Sequence, residues 1–142
     1  MIRKARVNKK REEQIQFANK ELIENGNLGS IDEIFTSDYV AHNNGKHYKG
    51  YNFIKRWVKQ IRSSIPDVKI VRIVFHIHAE DTIAWQRFLS GTHKTSMRGV
   101  PPSGKKVTWS EMIISRFDGD RIAEEWVVSE LAGELFSKQP LE

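Results

Sequence analysis

The chain has no cysteine in its 142 residues. Disulfides, thiol nucleophiles and thiolate metal sites are therefore excluded, and a reducing compartment is compatible with the composition. No apolar run approaches the roughly 20 residues needed to cross a bilayer. The N-terminus lacks the apolar stretch of a secretory signal, so the expected location is cytoplasmic, with no membrane partner. Nor is there a G-x-S-x-G nucleophile elbow. The glycine-rich loop Gly99–Gly104 lacks the GK[ST] ending and following helix of a phosphate cradle. Its adjacent prolines, Pro101 and Pro102, make it a stiff loop, read as a rim.

What is present fits one ordinary domain over residues 1–142. Hydrophobic residues make up 39% and charged residues 29%. That is enough apolar material for a core, since a chain of this length buries roughly two-thirds of its unfolded surface. The net charge is +5. Residues 1–11 hold six basic residues and no acid, which leaves 17 basic against 18 acidic residues in the rest. The excess is thus concentrated in an N-terminal arm or helix start. A nucleic-acid domain should carry its basic stripe across the fold, so nucleic acid is not the expected partner.

Apolar residues Ile15, Ala18, Leu22 and Ile23 recur at helical spacing over residues 12–25, with Gly26 at the C-cap position. Ser30 to Phe35 fits a short second helix, with Ser30 and Glu33 placed for a capping box. Tyr51 to Ser63 predicts a third, with Phe53, Ile54, Trp57, Val58 and Ile61 on one face. Tyr39, Val40 and His42 read as an extended connector. Beyond Pro66 the period becomes two, and strands are expected at 68–78, 82–92, 105–117 and 121–128. Glu80-Asp81 and Asp118-Gly119-Asp120 supply hairpin turns. Helices followed by an antiparallel meander predict an α+β domain, with a curved sheet and helices on one face that enclose a pocket.

Gly91-Thr92-His93, the G-x-P-P-x-G loop at 99–104 and Arg116–Trp126 (RFDGDRIAEEW) together resemble the SnoaL-like polyketide or ester cyclases of the nuclear transport factor 2-like superfamily. Tyr39–Asn43, Gly50, Ile65-Pro66-Asp67 and Asp81 fall where that family's patterns fall. The resemblance covers about residues 12–137. It implies a cone-shaped α+β barrel with a deep pocket for a small apolar or aromatic ligand, and a homodimer packed through the sheet. It also implies ring closure by intramolecular aldol condensation, with a carboxylic acid as proton shuttle and no metal or organic cofactor. The family pattern places an Asp four residues after the Trp of the last strand. This chain has Glu130 there, a carboxylate one methylene longer.

Strand periodicity puts residues 122, 124, 126, 128 and 130 on one face. Glu130 would then lose solvation against Ile122, Trp126 and Val128, which favours general-base chemistry. The competing reading is a Glu that opens a short last helix. His42, His93 and Arg116 are candidates to polarise a carbonyl. An inward Arg116 or Arg87 could hold a carboxylate or enolate by a forked pair of hydrogen bonds, and either is equally suited to structural pairing with Glu111 or Glu124. Trp126, Trp109, Trp85 and Trp57 are candidates to hold a flat substrate, with ordinary core packing as the alternative. His76 and His78 share a face at metal-binding spacing, but no third ligand is evident and no metal is expected. Three functions remain open: a cofactor-free cyclase or isomerase using Glu130, a non-catalytic ligand-binding or dimerising module, and, least favoured, a nucleic-acid accessory using the basic arm.

Overall fold

The structure is a computed structural model that describes residues 2–140. Helix α1 (Ile2–Ala18) begins far upstream of its apolar stripe and includes the basic segment. Arg11 anchors it there. Its Nε donates to the Gly119 carbonyl at 3.1 Å, its Nη2 lies 3.2 Å from Asp81 Oδ1, and its guanidinium rests 5.3 Å from the centre of the Phe117 ring. The basic segment is therefore a helix start tied to two hairpin turns. The chain then widens into a π-helical segment, Asn19–Glu24. Helix α2 (Ile31–Ile34) follows Ser30, but the expected capping box does not form, because Ser30 Oγ donates to the Asn27 carbonyl instead. Helix α3 (Asn52–Ser64) buries Ile54, Val58 and Ile61, as its period requires.

Six strands make one sheet in the order β2-β1-β6-β5-β4-β3. Strands β3 (Lys69–Ala79), β4 (Thr82–Thr92), β5 (Lys106–Asp118) and β6 (Arg121–Ser129) form the expected meander. The connector around Tyr39 is in fact β1 (Phe35–Asn43), which turns back through β2 (Lys46–Lys49). Strand β1 runs parallel to β6, so the sheet is mixed rather than wholly antiparallel. Periodicity could not show this, because pairing partners far apart in sequence leave no local mark. Helix α4 (Leu131–Ser137) closes the chain. Irregularities in the register of β3 against β4 and of β5 against β6 increase the sheet's twist and coil. Helices α1, α2 and α3 then pack into its concave face, where Ile15, Ile34, Trp85, Ile113 and Phe117 share a core. Among the described residues no helix is long and apolar enough to cross a membrane.

Gly91 shows why one motif position is glycine. A Cβ there would collide with Ile65 Cγ2 and lie 3.2 Å from the Val68 backbone. Asp67 draws these segments together, accepting from Thr92 N at 2.6 Å and Thr92 Oγ1 at 2.8 Å. Gly91→Ala should cost about 1–3 kcal/mol through overpacking. A urea midpoint equal to wild type would show that the segment yields freely.

Candidate active site

Between the concave sheet and the helices lies a cavity of about 260 Å³. Most of its wall is apolar and includes Ile15, Leu22, Phe35 and Ile122, with Trp57 and Trp85 as the large aromatic surfaces. Two carboxylates break this wall, Glu125 from β6 and Glu111 from β5.

Glu125 is 9% exposed. Tyr39 Oη donates to its Oε1 at 2.9 Å, and Ser115 Oγ donates to its Oε2. Trp85 Nε1 donates in turn to Ser115 Oγ at 2.9 Å. These bonds occupy two of the roughly four lone-pair sites of the carboxylate. Burial pushes the Glu125 carboxyl above its ordinary range, opposed by the bonds from Ser115 and Tyr39 and by the charge of Arg87. The Tyr39 phenol is raised well above its ordinary value by burial and then by the neighbouring Glu125. Tyr39 is thus held as a neutral donor.

Glu111 is 2% exposed and fully engaged. Its Oε1 accepts from Arg87 Nε at 2.7 Å, and its Oε2 accepts from Ser129 Oγ at 2.7 Å and Trp109 Nε1 at 3.2 Å. Arg87 Nη1 also donates to Asn19 Oδ1 at 3.0 Å. Asn19, the first residue of the π-helical segment, lines the cavity, and such widenings are frequent at functional sites. The Arg87 guanidinium lies 5.0 Å from the Trp57 ring centre and 5.5 Å from that of Trp85. Of the two pairings expected for Arg87 and Arg116, each forms: Arg87 with Glu111, and Arg116 with Glu124.

The face expected to carry the chemistry is displaced. Phe117 pairs with Ile122 but Arg116 pairs with Glu124, so Ala123 is an extra residue in β6. Ile122 and Ala123 are both buried, and beyond them the alternation is inverted. Residues 125, 127 and 129 line the cavity, while 124, 126 and 128 face outward. Trp126 is 40% exposed and stacks on the His42 ring at 5.0 Å. His42 Nε2 lies 2.7 Å from Glu124 Oε2, and Arg116 Nε donates to Glu124 Oε1 at 3.0 Å. The bond with His42, then that with Arg116, holds the Glu124 carboxyl below its ordinary range despite partial burial. His42, Arg116 and Trp126 therefore come together, but on the outside of the sheet.

Glu130 is exposed and precedes helix α4, where Ser110 Oγ donates to its Oε1 at 2.9 Å. That is the helix-opening arrangement, and it is not on the cavity wall. His93 is fully buried but does not line the cavity, and neither ring nitrogen is hydrogen-bonded within the described residues. Trp109 is buried, does not line the cavity, and donates to Glu111. Of the residues named from the sequence as site candidates, Trp57, Trp85 and Arg87 line the cavity. Glu125 and Tyr39 also line the cavity and were not among those candidates; the one signal was that adjacent Glu124 and Glu125 in a strand must face opposite ways. His76 and His78 have separate partners, Gln86 and Glu12, and no metal-binding group of three ligands occurs among the described residues.

The SnoaL-like polyketide cyclase family pattern matches residues 13–135. The chain belongs to this family. Its fold is shared with a candidate polyketide cyclase from Acidithiobacillus ferrooxidans, at 23% identity and a TM-score of 0.76 over 90% of this chain and 93% of that one. It is shared also with AclR, a candidate hydroxylase from Streptomyces galilaeus (21% identity, TM-score 0.72, 92% and 97% covered). An NTF2-like protein from Anabaena variabilis aligns at 14% identity and a TM-score of 0.71 over 90% and 92%. At these identities the likeness is one of fold. No curated protein matches the chain.

Proposed function

We propose that this SnoaL-like protein is a cofactor-free cyclase or isomerase acting on a small, largely apolar carbonyl compound, with Glu125 as the proton shuttle. The observation that carries the reading is a buried carboxyl in the wall of an apolar cavity, oriented by Tyr39 and Ser115. The ionised Glu125 takes a proton from a carbon next to a carbonyl, and the electron pair moves into an enolate. The enolate carbon attacks a second carbonyl of the same molecule. The proton held by Glu125 then goes to the new alkoxide, so the product is an isomer of the substrate. A base tuned upward by burial suits this proton transfer near neutral pH. Trp57 and Trp85 supply flat surfaces for the substrate, and Arg87 supplies positive charge near the enolate.

The test is deuterium uptake at an activated methylene. Wild-type protein in D2O should catalyse exchange in β-keto esters, followed by mass spectrometry, and Glu125→Gln should not. The rival reading is a non-catalytic ligand-binding module, in which the bonds from Tyr39 and Ser115 serve only to satisfy a buried Glu125. It predicts no exchange in wild type and unchanged ligand affinity in Glu125→Gln.

The outer sheet face supports a homodimer as part of the proposal. Met112 pairs with Val128 and Ile114 with Trp126 across β5 and β6, and these four side chains are 40–70% exposed. A charge in this patch opposes its burial. Sedimentation should therefore give a dimer for wild type and a monomer for Ile114→Lys; a monomeric wild type would reject it.

A further inference from the structure

The cavity adjoins a second concave space of about 490 Å³. The two share Asn43, Asn44, Phe53, Trp57 and Arg98, so the second space is the vestibule of the first. Its chemistry differs. Arg56, Lys59 and Arg98 line it, and no carboxylate does. Among the described residues none of these three cations forms an ion pair. The Arg56 guanidinium lies 5.8 Å from the centre of the Tyr48 ring, which stacks on Phe53 at 4.5 Å. That aromatic wall holds Arg56 beside the cavity mouth.

The sequence deepens this local excess. Residues 39–66 and 82–110 together carry 11 Lys and Arg and no Asp or Glu. The rest of the body, residues 12–38, 67–81 and 111–142, carries 6 Lys and Arg and all 18 acids. The near-neutral total of the body therefore hides a sharp separation of charge. All three vestibule cations belong to the acid-free stretches, which converge at the mouth. A concave site lined by one sign of charge concentrates ligands of the opposite sign.

We propose that the natural ligand carries an anionic group, a carboxylate or a phosphate, at one end of its apolar carbonyl-bearing body. The inference rests on the reading of the cavity as a small-molecule site. Arginine forks match either anion with two parallel hydrogen bonds. Inside, Arg87 is already paired with Glu111, Glu125 adds a further carboxylate, and the wall between them is apolar, so the ligand enters apolar end first and its charged end stays in the vestibule. The charge pattern thus sets the direction in which the substrate lies against Glu125.

Three matched probes test this by titration calorimetry: 4-(2-naphthyl)butanoate, the corresponding neutral alcohol and that alcohol's phosphate ester. Wild type should bind at least one anionic probe about tenfold or more tightly than the alcohol at low salt. The advantage should shrink as salt rises, because exposed charges are screened. Tighter binding of the phosphate ester would identify a phosphate, and of the butanoate a carboxylate. The variant Arg56→Gln/Lys59→Gln/Arg98→Asn should lose the anion advantage and keep wild-type affinity for the alcohol, which also reports an intact fold. Asparagine suits position 98, where φ is 49°. Equal affinity for alcohol and anions in wild type, or an undiminished preference in the triple variant, overturns the inference while the cavity reading stands. If none of the three binds, the cavity reading falls and takes this inference with it.

Discussion

Arg87→Leu is expected to destabilise the fold by about 3–5 kcal/mol, measured as a lowered urea midpoint. The reason lies in the partner it leaves behind. Glu111 is 2% exposed, and Arg87 is the cation that pairs with it, its Nε donating at 2.7 Å. Ser129 and Trp109 add bonds to its other oxygen but bring no positive charge. Leucine would leave a buried anion facing an apolar cavity, and it would also leave Asn19 Oδ1 without its donor. The loss should exceed that of an ordinary surface ion pair, worth about 0–1 kcal/mol. The double variant Arg87→Leu/Glu111→Gln separates charge from packing. Glutamine keeps an acceptor for Trp109 and Ser129 while removing the anion, so most of the lost stability should return. A single variant that costs under about 1 kcal/mol would show that Glu111 is not held by Arg87.

Glu125→Gln should reduce the D2O exchange rate on the order of 10²- to 10⁴-fold, the usual contribution of a positioned acid or base. The same change should stabilise the protein at neutral pH. Burial raises the Glu125 carboxyl above its unfolded value of about 4.3, so folding favours the protonated form. Its stabilising contribution is complete below the unfolded value and is lost as pH rises through the native value. A glutamine amide in its place cannot ionise and lacks this loss. The stability advantage of Glu125→Gln over wild type should therefore grow from about pH 4 upward and then level off. Asp67 and Glu124, both lowered, act in the opposite direction, with stability lost as pH falls. They are common to both proteins and cancel in the difference. A pH-independent difference would mean that Glu125 is not perturbed by folding, and undiminished exchange would remove it from the proposed reaction.

The helical stripe Ile15–Ile23, the α3 face and the four meander strands were legible because each is a local pattern of burial. The hairpin turns were legible for a similar reason: Gly119 adopts φ 63° and Glu80 adopts φ 56°, as tight turns demand. Glu111 and Glu124 were legible as partners for Arg87 and Arg116, but which pairs with which was settled only by strand register. Strand β1 was not legible as a strand, because its long-range partner β6 is parallel and distant in sequence.

The sequence by itself determined the α+β architecture, the family and the supply of carboxylates, arginines and tryptophans. Only the tertiary structure decided which of them face the cavity. One extra residue, Ala123, inverts the side-chain alternation of β6. It turns Glu125 inward and leaves Glu124 and Trp126 outside with His42 and Arg116, while Glu130 opens helix α4. A strand's period of two makes every later position depend on a single-residue shift, and that shift is set by the pairing of whole strands rather than by any residue's own preference.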